Sequence, residues 1–301
     1  MPHSSGKGGA HVGHVGWRAV AAGAALAVLV SGCGASGGSP SASGSSGTPS
    51  SGAGFWTRER LLGARPLRDW TPPALAPGTT PSAHSPLVDT PRVGALFTHD
   101  ASGNHFCTAS VVASAGHDLL ITAAHCIHGG KGGGYKQDIV FIPDYVDGTT
   151  PYGVWTPSKL LVDPRWVSSS DPDLDVGFVV LKPDDGKNIQ DVLGANQIAF
   201  NAGFTNTVRV TGYPASTDAP VTCKNQTSQQ STYQVKFECG GFFGGTSGSP
   251  WITHFDLKSR TGTIVGVIGG YQEGGATDSI SYSAYFDDDI RTLYEQAQAA
   301  G

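Results

Sequence analysis

From residue 91 onward the chain alternates short apolar runs with Gly, Asp and Pro punctuation. These runs predict strands at 93–97, 106–112, 119–122, 139–142, 154–162, 176–181, 208–212, 231–238, 251–253, 264–268 and 281–286. No helical pattern intervenes, so an all-β, antiparallel architecture is expected, a sandwich or barrels. The end of the chain differs. Ile290, Leu293, Tyr294 and Ala297 recur at helical spacing, and Asp287 or Asp288 can cap the N-terminus and suit its dipole. An amphipathic helix is therefore expected at 287–299.

The first ninety positions lack this pattern. Residues 34–54 are almost entirely Gly, Ser, Ala, Pro and Thr, too poor in apolar surface to offset their ordering entropy, and read as a flexible tether. In 55–90, Phe55, Trp56, Leu61, Leu62 and Trp70 are apolar, but five prolines from Pro72 to Pro86 interrupt any long element. That stretch is a propeptide, an N-terminal arm packed on the strand-rich domain, or more linker.

Residues 1–33 read as a targeting segment. Lys7 and Arg18 precede an apolar run at 19–30, shorter than the roughly 20 residues needed to span a bilayer. It ends in Leu29-Val30-Ser31-Gly32-Cys33. Small residues before a cysteine resemble a bacterial lipobox, in which Cys33 is acylated and becomes the mature first residue. The alternative is an ordinary signal peptide with an incidental cysteine. Five cysteines are odd for an exported chain, and assigning Cys33 to lipid leaves an even four. The expectation is a cell-surface lipoprotein touching the membrane through Cys33; a secreted soluble form is the alternative. A single lipid chain would hold weakly, two or more firmly. The net charge of −5 and the absence of any basic run exclude a nucleic-acid partner.

Three short strings carry the chemistry: Thr122-Ala123-Ala124-His125-Cys126, Asp175-Val176-Gly177-Phe178, and Gly245-Thr246-Ser247-Gly248-Ser249-Pro250. They offer a base, a carboxylate and a nucleophile. A serine hydroxyl attacks a carbonyl at neutral pH only if an imidazole takes its proton, and an acid must hold that imidazole in the right tautomer. His125, Asp175 and Ser247 are the candidates. His128 is a competing base, followed by Gly129 and Gly130 and expected to face solvent in a loop. Asp173 competes with Asp175, and Asp171, Asp173 and Asp175 together can also be a solvated acidic loop. Ser249 competes with Ser247 but lacks its Gly-x-Ser-Gly setting.

The order His, Asp, Ser is that of the chymotrypsin group. From about residue 91 the chain resembles the chymotrypsin-like (trypsin-like) serine endopeptidases, near the bacterial glutamyl endopeptidases. The resemblance implies two antiparallel six-stranded β-barrels, about 91–190 and 191–286, with the active site between them and a C-terminal helix. It implies an oxyanion hole from the amides of Gly245 and Ser247, a Cys107–Cys126 disulfide stapling the loop that presents His125, and neither metal nor cofactor. Cys223 and Cys239 bracket a polar segment and are expected to close a hairpin as a second disulfide. Zinc binding would need paired ligand spacings that are absent.

Several positions depart from the family. Thr246 stands where many animal members carry the aspartate that receives a newly freed N-terminus, so that activation switch is expected to be absent. Arg92-Val93-Gly94 looks like an activation cleavage, but Val93 is expected in the first strand. Gly241 stands where an Arg/Lys preference calls for an acid, and the strand ending in Gly269 and Gly270 lacks the histidine of glutamyl endopeptidases. The expected substrate pocket comprises Gly241, Phe242, Ile268, Gly269, Gly270 and Tyr271, and accepts an apolar or medium-sized side chain. The function expected is a monomeric, surface-tethered serine endopeptidase acting on extracellular protein or peptide. The alternative is a catalytically silent surface binding protein of the same fold. An α/β-hydrolase conflicts with the residue order and with the strand-rich pattern.

Overall fold

A computed structural model describes residues 45–47, 52–67, 81–86 and 90–301. The segment around Cys33, most of the 34–54 tether, and Trp70 lie outside the described residues.

The first sheet is built on β3 (Val93–Asp100), β4 (Gly103–Val111), β5 (Leu119–Thr122), β6 (Gln137–Pro143), β7 (Pro157–Val162) and β8 (Gly177–Leu181), in the order β7-β8-β5-β4-β3-β6 with every neighbour antiparallel. Just before β7, Trp155 exchanges two backbone hydrogen bonds of 2.9 Å with Phe141 of β6, curling the sheet toward closure. Two short strands add to it: β1 (Ser45–Gly47) pairs with β7, and β2 (Arg65–Pro66) lies parallel to β4. Leu96, Leu120, Phe141, Leu160 and Val179 fill the interior.

The second sheet contains β10 (Thr207–Gly212), β11 (Val221–Gln229), β12 (Gln234–Glu238), β13 (Pro250–Asp256), β14 (Thr261–Val267) and β15 (Ile280–Ala284), in the order β15-β12-β11-β10-β13-β14, with β9 (Gln197–Ile198) beyond β14. The Gly269 amide, just past β14, donates to Tyr282 O of β15 at 2.9 Å and brings the ends together. Two six-stranded antiparallel units thus stand as expected. Val93 opens the first strand.

A further apolar cluster fuses the units. Leu119, Ile121, Phe178 and Val180 of the first meet Ile252, Ile264, Val267 and Ala284 of the second. The terminal helix joins the same cluster. Asp287 caps it by accepting the amides of Asp289 and Ile290, and its face of Ile290, Leu293 and Ala297 is buried. The helices in order are α1 (Arg58–Leu62), α2 (Ala124–Ile127), α3 (Pro164–Ser169), α4 (Ile189–Leu193) and α5 (Asp288–Gln298). Only α5 is expected from periodicity; α1 to α4 are too short to establish it.

The described parts of 55–90 pack on the body. Trp56 and Leu61 are buried with Phe97, Val140 and Tyr213, and Trp56 Nε1 donates to Asp138 O. Further along, Ala83 N donates to Gly240 O at 2.7 Å, and His84 and Thr222 exchange two backbone hydrogen bonds. One segment therefore covers the first unit and the next pairs with the second.

Candidate active site

β5 runs directly into α2, the single turn that carries His125. The residue capping this turn is Ala123, which has no side chain able to accept from it. Asp175 supplies what is missing: its Oδ1 accepts the His125 amide at 2.9 Å. The other oxygen, Oδ2, lies 2.7 Å from His125 Nδ1 and also accepts the Gly270 amide at 2.9 Å. Asp175 is fully buried and His125 nearly so. Three contacts fix the carboxylate, and the Nδ1 contact sets the imidazole with Nδ1–H toward the acid, leaving Nε2 the basic nitrogen. The Cys107–Cys126 disulfide forms as expected and holds α2 to β4; Cys223–Cys239 forms in the second unit, joining the β11 segment to the end of β12. The sulfurs of Cys107 and Cys126 come within 4.8 Å of a His125 nitrogen, but as a disulfide they offer no thiolate to a metal.

The turn carrying Ser247 is pinned to the first unit through Thr108. Its amide donates to Ser247 O at 2.8 Å, and its Oγ1 donates to Gly245 O at 3.1 Å. Gly248 sits at φ +83°, where a Cβ would lie 2.1 Å from Thr108 O; the close approach needs glycine. Thr246 N and Gly248 N are taken by Phe243 O and Ile268 O. By contrast, no hydrogen bond among the described residues uses the amides of Gly245 or Ser247. Two amide donors on one turn are thus left unused among the described residues.

Each of the competing residues has partners elsewhere. Ser249 is fully buried and donates to Thr246 O at 2.6 Å. Asp173 Oδ1 accepts from Gln234 Nε2 at 2.7 Å, and Asp171 caps the 3-10 turn Pro172–Leu174. His128 does not face solvent, as its glycine neighbours suggested. It is buried edge-on to Tyr135, and its Nδ1 accepts the Gly130 amide. Burial, and then the Lys136 charge, lower its pKa. Thr246 is also buried, its hydroxyl donating to Phe243 O, so the turn closes locally without an ion pair.

A cavity opens beside Ser247. Phe242 and Ile268 line it, but the other four expected pocket residues do not. Gly269 and Gly270 instead face Asp175: a Cβ on Gly269 would lie 2.9 Å from Asp175 O. Gly241 backs onto Ala83 of the arm. Tyr271 is exposed and packs edge-on to Tyr282. The walls missed from sequence include Glu273, Gly275, Thr277 and Ser281. The Glu273-Gly274-Gly275 tract was the available signal, since paired glycines mark a close backbone approach. Thr108 carried no local signal.

Two curled antiparallel units meeting at a buried His–Asp pair and a Gly-x-Ser-Gly turn define the chymotrypsin fold. Solved structures of bacterial serine proteases with this fold are similar to the chain. The protease Anisep from Arthrobacter nicotinovorans matches 70% of this chain and 97% of its own, with a TM-score of 0.63 and 27% identity. A thermostable serine protease, AL20, from an extremophilic microorganism matches 70% and 99%, with a TM-score of 0.64 and 27% identity. A Glu endopeptidase matches 73% and 98% at a TM-score of 0.59; at 15% identity it shares the fold alone. No family model and no curated protein matches the chain.

Proposed function

We propose that the chain is a serine endopeptidase, exported and held at the cell surface by lipid on Cys33, that cuts extracellular protein through an acyl-enzyme. Ser247 Oγ attacks the peptide carbonyl while His125 Nε2 takes its proton. The C–N bond breaks as His125 returns that proton to the leaving amine. Water then attacks the Ser247 ester, again with His125 as base. Asp175 orients His125 and stabilises the imidazolium, and the amides of Gly245 and Ser247 hold the oxyanion.

The observation that carries this reading is the 2.7 Å contact between His125 Nδ1 and Asp175 Oδ2, on a turn stapled beside the strand whose Thr108 holds the Ser247 loop. A fluorophosphonate probe tests it. The folded protein should label at Ser247, and Ser247→Ala should not. A folded wild type that does not label, and cuts no member of a diverse peptide pool, would overturn the hydrolytic reading and favour a binding protein. Tethering is tested separately. In an expressing bacterium, Cys33→Ala should move the protein from the membrane fraction to the medium.

A further inference from the structure

On the outer face of the second sheet lies a groove of about 450 Å³ that shares no lining residue with the cavity beside Ser247. Its charge comes from Arg209 of β10 and Lys224 of β11, which stand directly opposite each other in the antiparallel register. Their neighbours Val208, Val210 and Cys223 belong to the core, so both cations face outward. Like charges in that position repel and cost stability. Among the described residues no Asp or Glu lines the groove, although acids outnumber Lys and Arg in the chain by 24 to 19. Neither the Arg209 nor the Lys224 side chain has a hydrogen-bond or ion-pair partner among the described residues. Arg209 is nonetheless held in place. A bulge between Thr253 and Asp256 sets His254 at φ 51° and brings the Phe255 ring to 5.0 Å from the guanidinium. An arginine resting on an aromatic face keeps its N–H donors, which lie in its own plane, open to a ligand.

The spacing of the two cations chooses the ligand. Side chains directly opposite across a sheet have Cβ atoms about 5 Å apart, so both charged ends can reach one tetrahedral oxyanion. Carboxylates on one face of an extended acidic peptide lie about 7 Å apart and would meet the pair one at a time. A phosphate monoester carries close to two negative charges at neutral pH and neutralises both cations. A sulfate ester supplies half of that. The groove is also larger than a phosphate group, and Thr205, Asn206, Thr207 and Thr253 line it with hydroxyls and an amide. Those groups suit the hydroxyls of a sugar or polyol. We propose that this groove is a binding site for a sugar or polyol phosphate, with the phosphate clasped between Arg209 and Lys224. The site stands apart from the hydrolytic one and does not depend on the peptidase reading.

Calorimetric titration of the purified full chain tests it, with glucose-6-phosphate, glucose-6-sulfate, glucose, inorganic phosphate and a hexaglutamate peptide as probes. Glucose-6-phosphate should bind most tightly, and Arg209→Gln should weaken it about fivefold, the size expected for an exposed charge pair. Lys224→Glu is the sharper variant. It should abolish binding and raise the denaturation midpoint, because a cross-strand ion pair with Arg209 replaces a repulsion. Lost binding in a more stable protein is a result that a merely structural role would not give. Glucose-6-phosphate binding that survives Lys224→Glu, or is unmoved in Arg209→Gln, overturns the assignment to these residues. No binding at millimolar concentration, or tighter binding of any other probe, overturns the ligand class. Vesicles of phosphatidylcholine with and without phosphatidic acid form the last arm. Binding to the acidic vesicles with none to the free sugar phosphate assigns the groove to a lipid surface and overturns the proposal. If glucose-6-phosphate binds as expected but Ser247 does not label, the peptidase reading falls and this site stands.

Discussion

Asp175 shows how much one carboxylate can do. It caps a helical turn, orients an imidazole and receives an amide from the opposite unit. Asparagine at this position would keep the shape but turn an N–H toward one of those donors. On the proposed mechanism, Asp175→Asn should lower kcat by about 10⁴, with KM for a peptide substrate changing far less. Asp100 acts through charge instead. Burial works against its ionisation, but hydrogen bonds from Lys136 and Ser102 prevail and hold its carboxyl well below the usual range. A depressed folded-state pKa contributes stability above the unfolded value and loses it as pH falls through the folded one. The Tm difference between wild type and Asp100→Asn should therefore be greatest near neutrality and shrink below about pH 4, as a pH series of thermal melts will show. The triad candidates were legible as single residues because each sits in its own short string. The choice of Asp175 over Asp173 was not settled by spacing; it follows from Asp173 binding Gln234 and Asp175 binding His125.

Among the elements, α5 is the one whose whole logic is written locally. Its apolar stripe, its cap and its acidic first turn agree. Asp287→Ala removes the acceptor for two orphan amides and should cost about 1 kcal/mol, read as a lower denaturation midpoint at unchanged slope. Strand β11 is the opposite case. It is largely polar, and only Thr222, Cys223 and Thr227 of it are buried, so no apolar run marks it. Its neighbours β10 and β12, each supplying a backbone ladder, make it a strand. The strand expected from 231 begins at Gln234, because Gln230 and Ser231 both donate to Gln234 O and form the hairpin turn. Helix α3 did carry a signal, an Asp163 cap followed by Pro164 at the first helical position, but it is too short to show a periodic face.

In the molecule as a whole, the arm and α5 reach across the chain's own order. α5 comes after the second unit yet packs on Phe178 and Val180 of the first. The arm's Trp56 completes a cluster with Phe97 and Tyr213. Trp56→Ala should destabilise the protein by about 3–5 kcal/mol, measured by chemical denaturation; an effect near zero would mark this segment as a dispensable linker. The candidates for base, acid and nucleophile, the β-rich class and the terminal helix could be read along the chain, because each depends on residue type and short-range spacing. The shape of the substrate cavity could not. Its walls come from three separated stretches, around 242, 268 and 273–281, and glycines that looked like open pocket space instead admit Asp175. Which side chains share a cavity depends on how distant strands register and curl, and that is settled when the two units pack.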